Sequence, residues 1–266
     1  MLVLSTKGSQ LIQDANRLLD NLRHFLPKDD LRLRRLMVEA DKLMNADPWE
    51  AHTVKGMVYE LSGDFDQALS HMNNAIRLVP GNPVGNSNKC SVLINFGNFS
   101  EAQKVYAKIG SPVEGNFPMS TLLGLGAGAF CEMDKFLGVA QKMKLDLTAF
   151  DVGTIKNAAQ LMNKQALSDD ALARFLDVAG EIMREERVVF CAVPEVFAWD
   201  SSDDPALSIT YKLPVDAYRA EELDRELAAR LVDRFPQIPS FLAVSVASGL
   251  AESDERYPAR PVSTGV

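Results

Sequence analysis

The feature that most constrains the fold is a helix-turn-helix pattern that recurs along the chain. Gly63-Asp64-Phe65 separates two apolar runs with helical spacing, and the similar triplet Gly97-Asn98-Phe99 separates the next two. Ala68 and Ala102 occupy the same place after their triplets. We call the separation from Gly63 to Gly97, which is 34 residues, the repeat interval. A single pair of helices of this length cannot bury its own apolar faces, so neighbouring pairs must stack on it. The sequence therefore predicts a helical repeat architecture.

The unit from Pro48 to Pro80 shows which residue types carry this pattern. A small residue stands at the expected helix crossing, an aromatic one turn later, alanines at the tight contacts of the second helix and proline at its end. These residues are Gly56, Tyr59, Ala68, Ala75 and Pro80. Their spacing resembles a tetratricopeptide repeat, and the resemblance extends over about Leu31 to Leu147. It implies a right-handed α-solenoid that binds protein segments, similar to bacterial secretion chaperones that shield cargo.

Further helices are predicted on both sides of this unit from apolar residues at helical spacing. The third unit is expected to have its first helix over Leu122–Met133 and its turn near Lys135-Phe136. The other predicted helices span Ser9–Phe25, Leu33–Met44, Phe150–Leu167 and Ala171–Glu185.

At Arg187 the apolar period changes from about 3.6 residues to about 2, which is typical of strands. The predicted strands are Val188–Val193 continued by Val196–Trp199, Leu207–Leu213 and Phe241–Ala247, with a helix over Ala217–Phe235. The predicted fold is therefore mainly α with a C-terminal α+β module of order ββαβ. We expect a helical repeat domain over 1–186, the small domain over 187–250 and a disordered tail over 251–266.

Composition excludes several classes of function. The chain has 266 residues and a formal net charge of −8, which disfavours nucleic acid as the main partner because phosphate binding needs a basic face. No window approaches 18 uninterrupted apolar residues, so no membrane insertion is expected and a cytoplasmic location is predicted. Cys90, Cys131 and Cys191 lack the spacing of a disulfide framework or a zinc site. The chain could also form a homo-oligomer through its stacked helices or a sheet edge.

No catalytic constellation is found, so the chain is predicted not to be an enzyme and to bind no cofactor or metal. The glycine-rich stretch Leu123–Ala129 lacks the preceding strand of a phosphate loop and indicates close helix packing instead. The three histidines are scattered, and Asp200, Asp203 and Asp204 are read as a solvated loop. Two alternatives remain. One is an enzyme with a site at the domain junction, with Trp199, Asp200, Tyr211 and Arg219 as candidates; the other is a regulator or antitoxin-like neutralising protein.

The leading prediction is a protein–protein interaction scaffold or chaperone-like adaptor that binds a peptide in the concave groove of the repeats. Lys and Arg are absent from the expected groove positions, which argues against a clamp for a C-terminal carboxylate. Asn88 and Asn95 are expected to bond the peptide backbone, while Val84 and Ile94 receive its side chains. The predicted peptide-binding residues are Thr53, Met57, Val84, Ser87, Asn88, Ser91, Ile94, Asn95, Gly124 and Gly128.

Overall fold

A computed structural model describes residues 6–112, 117–148, 150–190, 193–201 and 203–250. Within these residues the protein is mostly helical, with eleven helices and one three-stranded sheet. The helices are α1 Lys7–Leu19, α2 Leu31–Leu43, α3 Pro48–Leu61, α4 Phe65–Leu78, α5 Pro83–Asn95, α6 Phe99–Tyr106, α7 Phe117–Ala127, α8 Phe130–Lys142, α9 Val152–Lys164, α10 Asp169–Glu185 and α11 Ala217–Arg234. The strands are β1 Glu195–Trp199, β2 Ala206–Leu213 and β3 Leu242–Ser248.

Local sequence explains where the early helices begin. The Asp47 side chain accepts a hydrogen bond from the Glu50 N–H, and Asp64 does the same for Gln67, so each satisfies a backbone donor that the helix leaves free. Pro48 and Pro83 occupy the first turns of α3 and α5, where a missing N–H costs nothing.

Successive helices pack as neighbours, and the first helices of the pairs also contact one another. α3 packs on α4, and α5 packs on α6. α3 also contacts α1 and α5, and α5 contacts α7. Ala68, Met72 and Ala75 of α4 are buried, as expected for its contact face. A Cβ on Gly56 would lie 2.8 Å from the Met72 Cε, so Met72 would have to shift to admit a larger residue there.

The third helix pair departs from the predicted boundaries. α7 ends at Ala127 and α8 begins at Phe130, because Gly128 between them takes a φ of +66°, a left-handed conformation that suits glycine. The predicted helix Leu122–Met133 was therefore wrong, and Lys135-Phe136 lies inside α8 rather than at a turn. Near the N-terminus, α1 stops at Leu19 and does not continue to Phe25.

The C-terminal elements follow the predicted order ββαβ. β1 pairs antiparallel with β2, and β2 pairs parallel with β3 after the crossover through α11. The sheet order is β1-β2-β3. The predicted strand Val188–Val193 does not form in its described part. Val188 instead makes an isolated bridge with His24, and residues 191–192 lie outside the described residues.

α10 packs on β3 and also binds the ends of several other helices. α6 and α8 have no side-chain cap of their own. The Asp177 carboxylate accepts from the Ser100 N–H at 3.0 Å, and the Asp169 carboxylate accepts from the N–H groups at the start of α8. Arg184 donates to the Phe96 and Gly97 carbonyls at the end of α5. These contacts satisfy backbone groups that the helices leave free and fix α10 against α6, α8 and the end of α5.

One apolar cluster contains residues of α5 to α10 together with the inward face of the sheet. Tyr211 of β2 is fully buried there, with its ring centroid 5.0 Å from that of Phe99 and 4.9 Å from that of Phe190. Apolar packing therefore crosses the expected boundary at residue 186. The division into domains stays a prediction, and the tail 251–266 lies outside the described residues.

Candidate interaction surface

The structure separates the ten predicted groove residues into a buried set and an open set. Asn88 and Ser91 are half-buried, and Val84 is 42% exposed. The buried residues are Thr53, Met57, Ser87, Ile94, Asn95, Gly124 and Gly128. An incoming peptide can therefore reach the middle of the predicted groove on α5 but not its α3 part in this conformation.

The first helix of the chain covers much of α3. α1 packs on α3, and Leu11, Ala15 and Leu19 share one apolar cluster with Val54 and Met57. At the other end of this contact, a Cβ on Gly8 would lie 1.9 Å from the Glu50 Oε2. The absence of a side chain at Gly8 therefore allows α1 to lie close to α3. Met57, which was predicted to contact a peptide, contacts the protein's own core.

The connector after α1 lies against the end of α3 and the residue that follows α5. The Leu26 N–H donates to the Leu61 carbonyl at 2.8 Å, and Phe25 stacks on Phe96 with ring centroids 5.1 Å apart. The connector is itself held by the segment after α10, because the Val189 N–H donates to the Arg23 carbonyl. Val189 belongs to the same apolar cluster as Phe96. We call residues 22–26 the connector strap.

Asn95 has a partner within the protein. Its Nδ2 donates to the Glu60 Oε1 at 2.7 Å, and both side chains are buried. Burial away from water raises the pKa of Glu60 to about 7, and the hydrogen bond from Asn95 only partly offsets this effect. Asn95 therefore satisfies a buried carboxyl group between α3 and α5, where we expected it to bond a peptide backbone.

Three buried hydroxyl groups recur at the repeat interval. Thr53, Ser87 and Thr121 stand at equivalent positions of successive units, and each hydroxyl donates to the carbonyl one helical turn earlier at 2.9 to 3.0 Å. Such bonds satisfy the hydroxyl within its own helix. Thr53 and Ser87 are thus buried and internally bonded. The same local bond therefore occurs once each in α3, α5 and α7.

α5 and α7 pack together, and each carries exposed or half-buried side chains. Val84, Asn88 and Ser91 form one stripe on α5, and Leu122, one repeat interval after Asn88, is 41% exposed. Met119, one turn before Leu122, is 53% exposed. A Cβ on Gly126 would lie 3.2 Å from the Ile94 Cδ1, so the helices run close together. We call Val84, Asn88, Ser91, Met119 and Leu122 the α5–α7 face.

This face carries little charge. α7 contains no Asp, Glu, Lys or Arg, and Lys89 is the single such residue of α5. The Lys89 Nζ donates to the Asn73 Oδ1 at 2.8 Å, and burial lowers its pKa. The α5–α7 face can therefore offer apolar contact and neutral hydrogen-bonding groups to a ligand.

The two glycines predicted to line the groove instead allow close packing. A Cβ on Gly124 would lie 2.5 Å from the Met133 Cγ and 2.7 Å from the Tyr106 hydroxyl oxygen. A Cβ on Gly128 would lie 2.5 Å from the Leu176 Cδ1. A larger residue at either position would enter the core. This agrees with the interpretation of the glycine-rich stretch as a packing element.

The four candidates for a junction enzyme site do not converge. The register of β1 on β2 places Trp199 on the outward face of the sheet, whereas Tyr211 is buried on the inward face. Asp200 pairs with Lys164 at 2.5 Å, and Arg219 is held by two glutamates, Glu186 just after α10 and Glu222 of α11. The arrangement brings no acid–base or nucleophile–base pair together among these residues.

One cluster was missed by sequence reasoning. The Nδ1 atoms of His52 and His71 lie 2.8 Å apart, and the Tyr59 ring stacks on His71 with centroids 5.4 Å apart. One imidazole must donate and the other accept, so the contact requires at least one neutral ring. Burial lowers the pKa of His71 to about 4. A sequence signal for this contact was available, because the repeat pattern predicts that α3 packs on α4. It could have indicated that His52 and His71, 19 positions apart, lie close together.

In the described part of the chain, no group of three or more His, Cys, Asp or Glu side chains could hold a metal ion. Among the described helices, none is both long enough and apolar enough to cross a membrane. Comparison with known protein families, with curated proteins and with solved structures finds no match to this chain.

Proposed function

We propose that the protein is a non-enzymatic binding module that holds an uncharged segment of a partner protein on the α5–α7 face. The observation that carries this proposal is a nearly charge-free set of exposed or half-buried side chains on two packed helices, Val84 and Asn88 of α5 with Met119 and Leu122 of α7. Contiguous exposed apolar residues on a soluble protein mark interaction sites.

The chemistry of the face defines the ligand. Val84, Met119 and Leu122 supply apolar contact, while Asn88 and Ser91 can donate to and accept from a peptide backbone. No fixed cation is present on this face to bind a carboxylate among the described residues. A helical or extended segment with small apolar side chains fits these groups best. Because a few half-exposed side chains bury little area, affinity in the micromolar range is expected.

The repeat architecture supports this reading. We infer a tetratricopeptide-like solenoid from the constant repeat interval, from the contacts between the first helices of successive pairs and from the recurring buried hydroxyl groups. In such arrays the first helices form the surface that binds ligands. A cytoplasmic adaptor or chaperone-like role belongs to the same proposal.

A peptide selection tests the proposal. Random uncharged dodecapeptides displayed on phage would be selected against the full chain, and binding of the recovered peptides would be measured by fluorescence anisotropy. The double variant Val84→Asp/Leu122→Asp places charge on the face and is expected to weaken binding at least tenfold. Raising salt from about 50 to about 500 mM should change wild-type affinity less than tenfold.

The matched control is Val232→Asp on α11, a valine with 67% exposure that lies outside the α5–α7 face. It should leave peptide affinity unchanged. Failure to select any peptide, or equal affinity of the double variant and wild type, would contradict the proposal.

A further inference from the structure

The outward face of the sheet carries large side chains on one strand and mostly small ones on the other two. β1 projects Phe197 and Trp199 from it, each 58% exposed. The register places Phe197 opposite Ser208 and Trp199 opposite Ala206, and Ser208 opposite Ala243 on β3. We call Phe197 and Trp199 the aromatic ridge. The small-residue shelf beside it consists of Ala206, Ser208, Thr210, Ala243, Ser245 and Ala247.

The shelf offers no net charge and few free polar groups. Thr210 and Ser245 share a hydrogen bond between their hydroxyl oxygens at 2.8 Å. Lys212 and Glu195 form an ion pair across the strands at 2.5 Å. The two charges on this face therefore balance, although the whole chain has a formal net charge of −8.

We propose that this face associates with the same face of a second copy of the chain. A two-fold axis through the face would place the aromatic ridge of each copy on the small-residue shelf of the other. This contact would bury four aromatic side chains, because the small residues of the shelf leave room for them. The same axis repeats one Glu195–Lys212 pair on each copy, so the two faces approach without repulsion between like charges. The contact is self-complementary in both shape and charge.

The balanced charge disfavours several other partners. A nucleic acid or an anionic membrane would need a basic face, and a charged peptide would need an unpaired opposite charge. An identical sheet face needs neither, and sheets pack readily face to face at about 10 Å. This contact uses the sheet rather than the α5–α7 face, so it is independent of peptide binding.

The size of the face sets the expected strength. Three strands about seven residues long span roughly 14 by 23 Å, before the relief of the aromatic ridge is added. Two such faces bury less than the about 1,200 Å² typical of stable complexes. The association should therefore be weak, with a dissociation constant of about 10 to 500 µM.

Sedimentation equilibrium of the full chain from about 5 to 500 µM tests the proposal. We expect a monomer–dimer equilibrium in the wild type and at least tenfold weaker association in Phe197→Ser/Trp199→Ser. Tyr218→Ser/Val232→Ser is the matched control, since it removes two comparably exposed large side chains from α11, and it should dimerise like wild type. Circular dichroism would confirm that each variant is folded.

A shelf variant separates the proposed geometry from general stickiness. Ala243→Arg leaves the aromatic ridge intact but fills the shelf, so it should also weaken association at least tenfold. A wild-type chain that stays monomeric throughout the concentration range would overturn the proposal. So would a dimer that survives either the ridge variant or the shelf variant.

Discussion

α3 and the α5–α7 face carry residues at the same sequence interval, but these residues have different surroundings. Val54, Asn88 and Leu122 are spaced by the repeat interval, yet Val54 is fully buried, Asn88 is half-buried and Leu122 is 41% exposed. α1 and α2 pack on α3 and the connector strap bonds to its end, whereas neither α1 nor α2 packs on α7. Residues at the same sequence interval therefore differ in exposure according to the elements that pack around them.

The largest expected contrast comes from truncating one apolar residue in each part. Met57→Ala should lower the free energy of unfolding by about 2 to 5 kcal/mol, because it leaves a cavity beneath α1. Leu122→Ala should cost about 1 kcal/mol or less, because the side chain is already partly in water. Urea unfolding followed by circular dichroism measures both. Similar costs for the two variants would show that the covering of α3 contributes little.

The buried carboxyl group of Glu60 makes the free energy of unfolding depend on pH. The folded-state pKa of about 7 exceeds the ordinary value of 4.5, so the folded state holds its proton more strongly than the unfolded state. This contribution to the free energy of unfolding is about 3 kcal/mol. It is fully present below pH 4.5 and is lost as pH rises through 7. The stability of wild type relative to Glu60→Gln should fall over this window, and a pH-independent difference would contradict the assigned environment.

A smaller effect is expected from loosening the connector strap. Phe25→Ala removes the ring that stacks on Phe96, at a cost of about 1 to 3 kcal/mol. Hydrogen exchange should accelerate at the α3 and α5 amides near Glu60 and Asn95 while the α7 amides keep their protection. Equal acceleration in α7 would indicate global destabilisation rather than local opening. Leu26→Ser, in the same strap, provides a second variant for this comparison.

Much of the fold could be predicted from local patterns. Helix pairs around Gly63 and Gly97 follow from the apolar period and the turn residues, since both are properties of neighbouring residues. The order ββαβ follows from the change of period at Arg187 and is seen in the structure. The third pair was misplaced because several glycines stand in the Leu123–Ala129 stretch, and the sequence does not indicate which of them forms the turn. In the structure Gly124 and Gly126 pack closely against other residues, and Gly128 forms the turn.

The sequence by itself determined the helical pairs, their repeat interval and the strand order, because periodicity and turn chemistry act within a few residues. Tertiary structure alone decided that Asn95 bonds Glu60, that Asp169 and Asp177 cap helices far along the chain, and that His52 meets His71. It also decided which part of the groove is open. These contacts join residues from 19 to 77 positions apart, and local patterns do not specify such distant partners.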